Sequence, residues 1–514
     1  MMIMFSFLLL ISTSLVLMFL RFTNPKFRFS WLIALGGAAL AFVSVILWQI
    51  KLPLSISIPF SPESRVLSNT LSWFADDRSW LYAISLVTLS LAAITTAIVR
   101  KNTDPMNWVG ILVLVSFGLL SISADNPFTL AVAWIVIDII EVILLLGMIN
   151  SEDIERIIVT FTIRLIGIFL LLWASVLSHS SGLPLTFQEI PPNISLILIL
   201  AIGIRIGFFN IHLPTRVPDQ KRGVITTLLL VSTASSLFVL SRFQANTFPQ
   251  VYVPYLTIIT GIISVYGGLR WLFARDELNG RPNWILCLGF LSITAAITGN
   301  NLGSIALGSS LILIGGLIFL YSARGVHYTW IHILGIWVLS AFPFSLTSGT
   351  WLHFTLGMTI FLIPQLLGQS LLLAGFYRHT FDRSKDVFLG SEPRWLQLIY
   401  PIGLTILPVT GLIIGLWGWD GARRIGNWQI SIVVMVLSIL FYLVKEKIHF
   451  SKRISSKSKI VINLSIPSKF FWWTYYSIRQ VINLITFTLE GDGGILWSIV
   501  LLVLFISLIT KVNL

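Results

Sequence analysis

The chain has 514 residues, 56% of them hydrophobic and 11% charged, with a formal net charge of +13. So little charge on so apolar a chain excludes a nucleic-acid-binding protein, and the apolar share exceeds what a soluble enzyme buries. One cysteine, seven scattered histidines and the lack of HExxH, Walker or dinucleotide motifs give no reason to expect a metal, nucleotide or redox cofactor.

Apolar runs long enough to cross about 30 Å of hydrocarbon as helices recur along the whole sequence. They predict an all-α membrane protein with spans near 2–20, 31–49, 80–98, 107–123, 127–148, 157–178, 194–213, 224–242, 253–273, 283–300, 303–322, 328–346, 351–377, 397–418, 429–445 and 493–511. The first span is followed, not preceded, by Arg21, Lys26 and Arg28, so it reads as a retained span and not as a cleaved leader. Most of the 34 Lys and Arg residues fall in one alternate set of loops, which the positive-inside rule makes cytoplasmic. With an even number of spans, both termini then lie on the outer side of a cytoplasmic (inner) membrane.

In chain order, residues 1–106 form an N-terminal three-span region. Its long outer loop, 50–79, carries Trp73, Asp76, Asp77 and Arg78 and reads as an interfacial cap with aromatic and charged anchors. Residues 107–242 and 243–378 are two candidate halves of five spans each, possible inverted units, although no sequence repeat relates them. Residues 379–445 hold further spans. Residues 446–492 form a cytoplasmic segment: a basic, serine-rich part with Lys452, Arg453, Lys457 and Lys459, then an aromatic part opened by Phe470, Phe471, Trp472, Trp473, Tyr475 and Tyr476. The aromatic part reads as a lateral amphipathic helix on the bilayer surface. Residues 493–514 are the last span.

Ionisable residues inside spans are expensive, on the order of 2.5–3.5 kcal/mol each on insertion scales, and so mark sites. Asp138 and Glu141 lie in the fifth span, Arg164 in the sixth and Arg205 mid-way through the seventh. Opposite charges at such depth must pair. Two readings follow: a buried proton relay, or a static ion pair that fixes helix packing. Arg270, near a span end, reads as snorkelling to the surface. Pro343, Pro364 and Pro408 interrupt spans, with Pro214 at the end of the seventh; Pro364 with Gln365 and Gln369 is the most channel-like group.

Residues Arg205-Ile-Gly-Phe-Phe-Asn-Ile-His212-Leu-Pro214 resemble the block Lys-x-Gly-x-x-Pro-x-His-x-x-Leu-Pro of the antiporter-like, proton-conducting subunits of respiratory complex I and of Mrp-type antiporters. Arg205 stands at the family's buried lysine, Gly207 and His212 match, Asn210 replaces the proline, and two residues are missing before Leu213. Arg242 falls where the family has an arginine closing the next helix. Asp125-Asn126 and Trp134 resemble the family's Asp-Asn and Trp-Glu; Ile135 replaces the glutamate, and Asp138, about 60° further round the helix, is placed to take over the carboxylate, with Glu141 about 120° off. Leu71–Leu81, with Asp76-Asp77, resembles the start of the family's third helix.

The resemblance implies a non-catalytic membrane subunit of a redox-driven or antiporter complex, whose partners are other membrane subunits, the lipid bilayer, and protons or sodium ions. It makes Asp138, Glu141, Arg164, Arg205 and His212 the proton-pathway candidates. The departures are equally specific. The family's lysine in the eighth span falls on Ala234, the next on Gly315, and 343–351 holds no basic residue. Arginine also releases its proton far less readily than lysine. A structurally reduced role is therefore one expectation and altered proton transport the other. Two further classes remain: an independent secondary transporter, which would share the broken helices, and a membrane-embedded lipid-linked transferase. For the latter Asp76 and Asp77 are the acidic candidates, because His332 and His353 lie in spans without an acidic neighbour.

Overall fold

The computed structural model describes residues 2–24, 27, 29–59, 70–98, 104–147, 154–180, 186–188, 190–208, 221–243, 247–322, 328–352, 359–381, 393–423, 426–454 and 480. The predicted lateral helix, the span at 493–511, His212, Pro214 and His353 lie outside the described residues. Each predicted span up to 429–445 coincides with a helix. Twelve helices among the described residues are long and apolar enough to cross a membrane, and two shorter apolar ones accompany them. The protein is an integral, multi-pass, all-α membrane protein, to which one small hairpin is added.

Helices α1 (Met2–Thr23) and α2 (Ser30–Lys51) pack as a pair. Trp48 donates to Ser6, which contacts Ser44 at 2.7 Å. The predicted outer loop contains an antiparallel hairpin, β1 (Leu54–Pro59) and β2 (Thr70–Ala75), with Leu54 opposite Ala75. The alternation Leu-Ser-Ile-Ser-Ile in β1 is the period-2 pattern of a strand. The hairpin is tied to the start of α5, because Asn126 donates to Thr70 O and Ser72 Oγ.

Three helices run through the interior. These are α3 (Asp77–Ala97), α8 (Arg222–Leu237), which tightens into a 3-10 turn at Phe238–Arg242, and α11 (Asn301–Leu320); nearly all their residues are buried. Helices α4 (Pro105–Ile122), α5 (Pro127–Leu146), α6 (Ile154–Ser180) and α7 (Ser195–Ile206) flank one side of them. On another side stand α9 (Val253–Phe273), α10 (Glu277–Ile297), α12 (Thr329–Leu339) and α13 (Thr359–Phe381). Helix α14 (Arg394–Ile413) ends in a π-helical turn, Ile414–Gly418, and the short α15 (Asp420–Arg423) leads to α16 (Trp428–Ile454).

Two spans are shorter than the hydropathy pattern predicts. Helix α7 stops at Ile206 because Gly207 adopts φ +103°, and α12 stops at Leu339, before Ala341 and Phe344 at φ 57° and 65°. Pro343 sits in that second break, whereas Pro364 and Pro408 are carried inside helices. Helix α8 is clamped at both ends. Arg222 meets Glu277 at 2.7 Å, and Arg242 meets Asp76, the N-cap of α3, at 2.6 Å. Asp76 and Arg242, far apart in the sequence, are thus joined in one part-buried bridge.

Candidate functional site: a buried ionic tetrad

The site begins with the two faces of α5. Asn126 caps the helix by accepting from Thr129 N, and Pro127 follows at the first helical position. Ile135, Ile139 and Ile143 then fall on the exposed face, while Trp134, Asp138 and Glu141 are buried. Ile135, at the position where the resemblance expects a glutamate, points out of the protein, and Asp138, one turn on from Trp134, supplies the inward carboxylate.

Arg205 reaches Asp138 from α7. Its Nη1 and Nη2 donate to Oδ2 and Oδ1 at 2.7 and 2.9 Å, the two-point geometry that matches a planar guanidinium to a carboxylate. Both side chains are fully buried. Nε of Arg205 donates to Ser236 Oγ on α8 at 3.3 Å, and Nη1 to the Arg164 carbonyl at 3.4 Å. The guanidinium lies 4.2 Å from the centroid of the Trp134 ring, whose indole N–H donates to Ser235 O. Gly167 on α6 makes room for the arginine stem, since an added Cβ would come within 2.8 Å of Arg205 Cγ. Arg205 also sits in the last turn of α7, where a cation complements the helix dipole.

Arg164 on α6 completes the group. It is ion-paired with Glu141 and stands 3.6 Å from Asp138 Oδ1. Two carboxylates and two guanidiniums therefore balance in charge across α5, α6 and α7. Beside them, between α5 and α6, a cleft lined by Asp138, Glu141, Thr160, Phe161 and Arg164 has room for about one water molecule. Glu141 Oε1 has no hydrogen-bond partner among the described residues.

The structure thus brings together Asp138, Glu141, Arg164 and Arg205, while His212 lies outside the described residues. It adds Ser236 and Gly167, which the sequence did not flag: a serine and a glycine in a span read only as small residues. Arg270, expected to snorkel, is partly buried and donates to Tyr266 Oη at 2.9 Å.

No family model matches the sequence, and no curated protein matches it. Solved structures do. A chain of the Mrp complex from Dietzia sp. DQ12-45-1b superposes with a TM-score of 0.71 at 12% identity, over 100% of this chain and 63% of that one. A chain of the membrane-bound sulfane sulfur reductase, an archaeal respiratory membrane complex, gives 0.68 at 14% identity over 97% and 99%. The chain has the antiporter-like membrane-subunit fold. A chain of respiratory complex I from Thermus thermophilus agrees, at 0.57 and 17% identity over 80% and 98%. This chain spans less than two thirds of the matched Mrp-complex chain, and about the whole of the other two. Within this fold, the position that the sequence aligned with a buried lysine holds Arg205, locked onto Asp138.

Proposed function

We propose that the chain is a membrane subunit of a multi-subunit assembly of the complex I-related, hydrogenase or Mrp type, and that its ionic tetrad braces the membrane domain. The fold supports the first part. The observation that carries the second is the two-point Asp138–Arg205 pair. A relay needs a cation that gives up its proton, and arginine keeps it. A carboxylate held by two N–H groups of one guanidinium, with a second arginine 3.6 Å away, is positioned to stay in place. The charge distribution of the loops supports a cytoplasmic-membrane location with both termini on the outer side.

Asp138→Asn tests the brace. Gentle purification from native membranes should show which subunits accompany the chain. The variant should then lower the yield and thermal stability of that assembly and leave ion flux per assembled complex unchanged. Lost flux at normal assembly would sink the brace and restore the relay. A second reading, favoured by the water-sized cleft beside Glu141, keeps a proton-exchanging role for that carboxylate alone. Under it, Glu141→Gln would lower flux while assembly stays normal.

A further inference from the structure

Among the described residues, the region of α9–α13 has no four-membered ionic group like the tetrad. It has a block of rings instead. Trp271 (α9) lies 5.3 Å from Trp284 (α10), and each lies 6.2 Å from Phe319 (α11); Phe376 (α13) lies 6.1 Å from Trp284. All four side chains are essentially inaccessible. The rings sit in glycine sockets supplied by three helices. A Cβ added at Gly280 or Gly375 would overlap the Trp271 indole, and one at Gly315 would come within 2.9 Å of Trp284 Nε1. A helical glycine costs about 1 kcal/mol relative to alanine, so three converging on one block mark a close fit.

The order of residues along the helices gives the block its meaning. On α9, neutral polar Thr260 and Ser264 precede Trp271, and the carbonyls of Leu272 and Ala274, which follow it, accept from Arg378. On α13, buried Gln365 and Gln369 precede Phe376, and Arg378 follows. On α10, running the other way, Glu277 and Arg281 come before Trp284, and Cys287 and Thr294 after it. The ring layer thus separates a neutral polar interior from a charged helix-end layer. In the interior, Gln369 donates to the Leu339 carbonyl freed where α12 breaks, and Thr294 meets Thr260 at 2.9 Å.

We infer that Trp271, Trp284, Phe319 and Phe376 form a permeation seal that closes the interior of this region to water and ions from the α9 C-terminal side. The inference is independent of the tetrad's role, because the rings stand on α9, α10, α11 and α13 and the tetrad on α5, α6 and α7. Close-packed rings leave no space for the hydrogen-bonded water that an ion or proton needs to pass.

Cys287 is the chain's only cysteine and lies one turn beyond Trp284, with Sγ 3.5 Å from the Gly368 carbonyl. It is therefore a built-in probe of the sealed side. A small charged methanethiosulfonate would be applied from the α9 C-terminal side to membranes holding the full assembly, and the labelled chain identified by mass. Cys287 should stay unmodified in the wild type and in Trp284→Phe, and become modified in Trp284→Ala. Phe376→Leu, a milder change, gives a second opened variant should the first not fold, and labelling in either supports the seal. Modification of the wild type, or protection in both opened variants while the chain remains folded in the membrane, would overturn it.

Discussion

The two flanks of the α3–α8–α11 interior solve one problem in opposite ways. Each has a helix that stops mid-span, α7 at Gly207 and α12 at Leu339. Around the first break stand four paired charges; around the second, neutral polar groups and a ring layer, and Gln369 supports a freed carbonyl. A broken helix inside a bilayer frees backbone groups that must be satisfied. The comparison teaches that ionised side chains are not required for this. Where charges do persist, as in the tetrad, they need a role of their own, and the proposed brace of three consecutive helices supplies one.

The comparison breaks most severely if one tetrad charge is removed. Arg205→Ala leaves Asp138 buried with Arg164 at 3.6 Å as its remaining counter-ion. Loss of one partner of a buried pair costs about 3–5 kcal/mol, so the purified assembly should show a large fall in thermal stability. Replacing the pair together, Asp138→Leu with Arg205→Met, removes both desolvated charges and should recover most of that loss. Recovery of stability with flux unchanged would make the charged flank as dispensable to transport as the neutral one. Recovery of stability with flux lost would separate the two flanks for good.

The neutral flank breaks through its packing. Gly375→Ala puts a Cβ into the Trp271 indole and should destabilise by about 1–3 kcal/mol, the usual range for an overpacked core. Gly36 on α2 has nothing within 4 Å of an added Cβ, so Gly36→Ala should be neutral or stabilising by up to about 1 kcal/mol. Equal effects at the two sites, read as thermal shifts, would show that the ring block is not tightly fitted.

The sequence makes the charged flank far easier to read than the neutral one. Span positions follow from long apolar runs, and Asp138, Glu141, Arg164 and Arg205 stand out because charge is rare in such runs. Their pairing follows too, since they fall in three consecutive spans. The ring block is hidden: aromatic and glycine residues are common in membrane helices, and its members come from helices far apart in the chain. The break of α7 is also hidden, because Ile204 to Phe208 is apolar throughout apart from Arg205, and only the φ of Gly207 ends the helix. The hairpin at 54–75 was missed for a different reason. Its strands are six residues each, and the alternation clear in β1 fails in β2 at Trp73-Phe74-Ala75.

The finest test concerns Ser236, a neutral side chain that ties Arg205 to the central helix α8. Ser236→Ala leaves the Asp138 pair and the Trp134 stack intact and removes the 3.3 Å hydrogen bond from Nε, together with the serine's own bond to the Ser232 carbonyl. Leaving a buried donor without its partner costs about 1–3 kcal/mol, so stability should fall by about that much, less than on loss of a tetrad charge. Under the brace, flux per complex does not change, because the arginine stays fixed by Asp138. If Arg205 instead moves during transport and Ser236 marks one of its resting places, the same substitution shifts flux at nearly unchanged stability. A small stability loss with unaltered flux therefore places the arginine as a fixed strut between α5 and α8, and the opposite pattern makes it a moving part.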